Sequence, residues 1–244
     1  MTVHGEQARF EPLSESALLV HFKQCLDVGV NARVHALCAA VRAADLPGID
    51  EVTPAYASAL VRFDPDCWAG QGGGKPHAAV RAALETVLDE LAEAAPEASP
   101  GRLHQLPVCY GGTCGADLDA VAEYCGLSVD EVIQRHCAPE YRVAMLGFAP
   151  GFAYLLGLDP ALEMPRRDQP RTRVPAGSIA IGGAQTGIYP RQLPGGWQLL
   201  GRTPATLFDA DNGAQAALLE PGDRVRFVAI SEAEFAQHSE PGNA

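Results

Sequence analysis

From Tyr141 onward the apolar residues come in short runs, each cut by a glycine or proline turn. Runs of that length read as strands. The turns between them leave no room for long crossover helices, so this half of the chain must build an all-β sandwich or barrel. The pattern before it is different. Val34, Leu37, Cys38 and Val41 recur at helical spacing, and so do Val80, Leu84, Val87, Leu88 and Leu91. One chain thus carries two periodicities and two architectures.

In the first half, residues 9–22 read as a strand centred on Ala17–Val20, and 30–44 as a helix broken at Pro47-Gly48. Residues 49–56 and 57–63 follow as two neighbouring strands, 75–94 as a second helix and 103–108 as a last strand. The order β-α-β-β-α-β is that of a ferredoxin-like split unit. The stretch 94–101 is a loop by composition. Two short helices come next, at 117–125 and from Ser128 to near His136. The second opens with a capping box, Ser128 and Glu131. Pro221-Gly-Asp223 turns the chain into a final strand, 224–230, and the tail from Ser239 is expected to be loose. The expected class is α+β, with a ferredoxin-like domain over 1–110 and a β-barrel domain over 111–244 that begins with the two short helices.

Charge narrows the function. The net charge of −12 argues against a general binder of nucleic acid or of acidic membranes. Between Arg135 and Arg202, however, eight arginines face only four acids, Glu140, Asp159, Glu163 and Asp168. This basic island suits a small anionic ligand or an acidic partner surface; solvated arginines on barrel loops are the plainer reading. No apolar run is long enough to span a membrane, and the polar N-terminus lacks a signal-peptide pattern. Seven cysteines at irregular spacing suggest reduced thiols in a cytoplasm.

Several motifs lose their appeal on inspection. Gly72-Gly-Gly-Lys75 is no phosphate loop: Ala69 stands where the first glycine is needed, and Pro76 where a Mg²⁺-binding hydroxyl is needed. Cys109 and Cys114, with Cys125, His136 and Cys137 beyond them, match no zinc pattern, so no metal is expected. Ser178, in Pro-Ala-Gly-Ser-Ile, is not a hydrolase elbow. His136, at a helix end, either caps that helix or serves as an acid–base or ligand group. The 147–154 loop sets Phe148 and Phe152 beside a Pro-Gly turn, as a pocket wall or a barrel corner. Arg171 and Arg173 stand two apart along an extended segment, each able to hold a carboxylate or phosphate. Gln185, Thr186 and Tyr189 add amide and hydroxyl groups near one turn. Clustered, these could recognise a small polar amide or acid.

The motifs His136-x-x-Pro139-Glu-Tyr-Arg-Val143, Leu146-Gly-Phe-x-Pro-Gly-Phe152, Pro170-Arg-Thr-Arg-Val-Pro-Ala-Gly-Ser178, Gln185-Thr-Gly-Ile-Tyr-Pro190, Pro194-Gly-Gly-Trp197 and Gly201-Arg-Thr-Pro204 occur in one order. Here the chain resembles the family of 5-oxoprolinase B subunits, which includes sporulation-kinase inhibitors and allophanate hydrolase subunit 1 domains. The likeness runs from about residue 10 to 232. Ala153 replaces a common proline, and Thr113-Cys-Gly-Ala116 replaces Glu-aromatic-Gly-Pro, which alters two loops. The resemblance implies that the C-terminal barrel is cyclophilin-like. It implies a tight partner, the 5-oxoprolinase C subunit, with the A subunit as a further one; together they cleave 5-oxo-L-proline to L-glutamate with ATP. No nucleotide motif is identifiable in this chain, so ATP is used by the complex and the chain is expected to be inactive alone. The candidate substrate-binding residues are His136, Arg142, Phe148, Arg171, Arg173, Gln185, Thr186, Tyr189, Trp197 and Arg202; no residue is assigned as catalytic. Two other readings remain open: a regulator that inhibits a sensor histidine kinase, and a carboxyltransferase-type domain of urea or allophanate metabolism.

Overall fold

The computed structural model describes residues 8–70, 75–94 and 101–238. Gly72–Gly74, most of the loop expected at 94–101 and the tail from Ser239 lie outside the described residues. The chain divides into two compact units, Met1–Ser99 and Pro100–Ala244.

The first unit is a four-stranded antiparallel sheet. It comprises β1 (Arg9–Ser14), β2 (Ala17–His21), β3 (Ile49–Pro54) and β4 (Ser58–Phe63), in the order β1-β2-β4-β3. Helix α1 (Val28–Ala43) connects β2 to β3. Its first turn is capped by Asp27, whose carboxylate accepts the Val30 N–H at 2.8 Å. A short helix, α2 (Pro65–Trp68), and then α3 (Pro76–Ala94) follow β4. The residues read as helical faces, Val34, Leu37, Cys38, Val41, Val80, Leu84 and Val87, are buried with Leu18, Val20, Val61 and Phe63 in one core.

This is the split unit with one substitution. The strand expected from 9–22 is a hairpin, and its first arm, β1, pairs beside β2. In a ferredoxin-like sheet that edge belongs to the last strand. The segment expected to fill it, 103–108, is instead β5 (Leu103–Tyr110), and it lies in the second unit. The boundary expected at 110 therefore falls before β5.

The second unit is a closed seven-stranded barrel. To β5 it adds β6 (Tyr141–Leu146), β7 (Ala153–Leu156), β9 (Ser178–Gly182), β10 (Gln185–Ile188), β12 (Gln198–Arg202) and β13 (Arg224–Ile230), and a ribbon of β8 (Arg171–Val174) with β11 (Leu193–Gly195) stands apart. The wall runs β10-β7-β6-β13-β5-β12-β9, and β9 pairs with β10 to close it. Its first and last strands in sequence, β5 and β13, lie side by side and parallel. Helices α4 (Leu118–Cys125) and α5 (Val129–Cys137) precede β6, and α6 (Glu232–His238) ends the described chain. The capping box is present: the Ser128 hydroxyl accepts the Glu131 N–H at 3.3 Å, and the Glu131 carboxylate accepts the Ser128 N–H at 2.8 Å. Val108, Val143, Leu155, Ile179, Ile181, Ile188, Val225 and Phe227 form the barrel core with Leu118, Val121 and Val132 from the helices. Among the described residues no helix is long and apolar enough to cross a membrane.

Candidate functional site

Strand periodicity gives the barrel wall two apolar faces. Ile179 and Ile181 join the core, while Ala180 between them joins a second cluster with Phe152, Val174, Tyr189, Trp197 and Leu199. The β8–β11 ribbon contributes Val174 and Leu193 to it. Phe152 sets its edge against Tyr189 at 5.0 Å and against Trp197 at 6.0 Å. Two glycines make the packing possible. A Cβ at Gly182 would stand 2.9 Å from the Trp197 indole, and one at Gly195 would overlap the Tyr189 hydroxyl. That hydroxyl accepts the Trp197 backbone N–H, and burial pushes its ionisation upward.

Arginines edge this cluster. The Arg166 guanidinium lies 5.5 Å over the Trp197 ring, a cation–π contact, and has no carboxylate partner among the described residues. Arg167 Nη1 donates to Asp117 Oδ1 at 3.1 Å, and Arg171 Nη2 donates to the same oxygen at 2.7 Å. Asp117 Oδ2 accepts the Leu199 N–H at 2.7 Å, so one buried carboxylate is shared by two guanidiniums and a strand amide. The second terminal nitrogen of Arg171, Nη1, is buried without a hydrogen-bond partner. Arg166 and Arg167 border an open hollow of about 510 Å³, together with Tyr124, Asp168, Gln169 and Gln198. Three cations against Asp117 and Asp168 leave this corner locally positive on an acidic chain.

His136 lies elsewhere, inside the barrel. It is fully buried, and its ring stacks on Phe227 at 4.8 Å. Thr186 Oγ1 donates to the Ala180 carbonyl at 3.1 Å and accepts from His136 Nε2–H at 3.1 Å. His136 Nδ1 then accepts the Tyr110 hydroxyl at 2.7 Å. The partners sit on β5 and β10, well apart around the wall. Desolvation drops the imidazole pKa to about 3, so it stays neutral. Both ring nitrogens are occupied, and burial raises the Tyr110 hydroxyl well above its usual value. His136 and Thr186 thus form a polar tie across the core.

The other expected residues are dispersed. Tyr189 and Trp197 meet in the aromatic cluster, and Arg171 adjoins it through Asp117. Arg173 is exposed, and Gln185 and Arg142 are half-buried on their strands. Arg142 pairs in register with Leu156 and Arg224, and burial lowers its pKa. Arg202 donates from Nε to the Ala176 carbonyl at 3.2 Å and lies 5.4 Å over Phe235 of α6. Phe148 is 62% exposed with φ of 69°, a left-handed conformation unfavourable for a bulky residue.

The family model for the carboxyltransferase domain, subdomain C and D, matches residues 8–219. The chain is 41% identical to the 5-oxoprolinase B subunit of Bacillus subtilis over 238 residues, 96% of this chain and 98% of that one. It belongs to the family of 5-oxoprolinase B subunits. A family member from Escherichia coli O157:H7, named in the same way, is 38% identical over 93% of this chain and 98% of its own. Among solved structures, that of TTHA0988 superposes with a TM-score of 0.73 at 36% identity; it covers 88% of this chain, which spans only 40% of that longer one.

In this family member, sequence reasoning did not single out Arg166, Arg167, Gln198 or Asp117, which the fold brings to one corner. The first two were counted in the basic island. The pairing of Arg167 with a carboxylate fifty residues upstream left no local trace. The doublet Arg166-Arg167 ahead of Pro170 was the one available signal.

Proposed function

We propose that this chain is the B subunit of an ATP-dependent 5-oxoprolinase, a hydrolase of a cyclic amide, and that it works with the A and C subunits. The observation that carries this reading is full-length similarity, 41% over 96% of the chain, to a protein of that name. That similarity favours this reading over the alternatives, a histidine-kinase regulator and a urea or allophanate carboxyltransferase domain.

The chemistry accounts for a nucleotide. A five-membered lactam is a resonance-stabilised amide that water attacks slowly. Transfer of the ATP γ-phosphoryl group to the lactam oxygen makes the carbon electrophilic. Water then adds at that carbon, the C–N bond opens to give the free amine and a γ-glutamyl phosphate, and a second water hydrolyses that acyl phosphate to L-glutamate and phosphate. Fixed donors must meet the charge that develops on the way. This chain offers cations, amides and hydroxyls but no recognisable nucleotide motif, so the proposal assigns ATP to another chain of the complex. A reduced cytoplasmic setting belongs to the same reading.

The test is reconstitution. Glutamate release from 5-oxo-L-proline is expected only when this chain, the A and C subunits, and ATP are combined. Equal release by the chain alone, or by the full set without ATP, would refute the proposal.

A further inference from the structure

Gln198 is held in one orientation. The Pro165 carbonyl can only accept, so the amide nitrogen faces it, at 3.0 Å, and Oε1 is left as an acceptor with no partner among the described residues. The side chain is nearly buried, at 5% exposure, yet it borders the 510 Å³ hollow. Arg166 and Arg167 border the same hollow. Arg166 has no carboxylate to answer it among the described residues, and Arg167 uses Nη1 on Asp117 while its side chain remains 37% exposed. A fixed neutral acceptor shares the hollow with two cations and one carboxylate, Asp168, so the ligand it suits carries an anion and an N–H donor close together.

We propose that this hollow binds 5-oxo-L-proline by its carboxylate and N–H edge, with Arg166 and Arg167 on the carboxylate and Gln198 Oε1 on the lactam N–H. The assignment rests on the reading of the chain as part of an oxoprolinase, and it names where that substrate sits. In this molecule the carbon that carries the carboxylate is bonded directly to the ring nitrogen, so both groups meet the three side chains from one side. A guanidinium matches a carboxylate through paired N–H donors. The lactam carbonyl, on the other flank of the nitrogen, then points away from the arginines. That leaves it accessible to a phosphoryl donor held by another chain, as the lack of a nucleotide motif here requires. Tyr124, 58% exposed at the rim, offers an apolar surface to the ring methylenes. Arg171 and its buried nitrogen stand behind Asp117 and help hold that carboxylate, so Arg171 is a positioning residue.

Calorimetry on the full chain tests this with three ligands: 5-oxo-L-proline, the lactone acid in which oxygen replaces the ring N–H, and 2-pyrrolidinone, which lacks the carboxylate. The lactam acid is expected to bind saturably, the lactone acid roughly tenfold more weakly, and 2-pyrrolidinone not at all. Gln198→Leu should bring lactam and lactone to equal affinity. Arg166→Gln should weaken both acids alike, by roughly tenfold. The proposal is overturned if the wild-type chain shows no saturable binding, if it binds lactam and lactone equally, or if Gln198→Leu keeps the preference. The wild-type comparison needs no variant, so a variant that misfolds leaves the test intact. Glutamate formation in the reconstituted complex separates the two readings. Activity with an unchanged KM in Gln198→Leu and Arg166→Gln sinks the site but not the enzyme. Selective binding by the chain with no glutamate formed sinks the enzyme but not the site.

Discussion

Inside the barrel, His136 is neutral because no solvent or carboxylate is at hand to stabilise its cation. Its pKa of about 3 in the folded chain compares with an ordinary value near 6.5 once unfolded. Between those values the unfolded chain binds the extra proton and the folded chain does not. Stability is therefore complete above about pH 6.5 and declines as pH falls, by up to about 1.4 kcal/mol per pH unit. Hydrogen bonds from Ser128 and from the Ala161 N–H hold the carboxyls of Glu131 and Asp159, respectively, below their ordinary values. The melting temperature is expected to drop from pH 7 to pH 5 in the wild type and to drop less in His136→Gln. Matching slopes in the two proteins would rule out burial as neutral imidazole. His136 also shows what a residue type leaves open. Its position at the end of α5 was legible, but its role depended on Thr186 and Tyr110, fifty residues downstream and twenty-six upstream.

Helix α5 was readable to within a residue because its start is written locally, in Ser128 and Glu131. Replacing Ser128 by alanine removes the acceptor for the Glu131 N–H and should cost about 1 kcal/mol. Chemical denaturation would read this as a lower midpoint at unchanged slope; an unchanged midpoint would mean that the box contributes nothing. Other elements carried weaker marks. The β1–β2 hairpin turns at Glu15-Ser16, without glycine, proline or asparagine, so the two arms read as one strand. Helices α2 and α6 are too short to show a period. The strand β5 alternates in the manner expected of it, and alternation does not say which sheet a strand joins.

That last ambiguity matters most for the molecule as a whole. Because β5 pairs with both β12 and β13, the barrel cannot close without it. A fragment starting at residue 100 is expected to unfold cooperatively on heating. One starting at residue 111 is expected to lose cooperative unfolding and to aggregate, since β12 and β13 would both present open edges. Cooperative melting of the shorter fragment would show that the barrel closes by another route.

Periodicity, capping and turn chemistry are properties of neighbours along the chain, so the helices of the first unit, the β-rich second half and the α4–α5 pair could be read from the sequence. Pairing between distant segments leaves no such mark. The transfer of β5 to the barrel, the sharing of Asp117 by Arg167 and Arg171, the neutral His136 across the core and the placing of Gln198 beside two guanidiniums all join residues far apart in the chain. Each is settled by which surfaces can be buried together, and that is decided only when the wall closes.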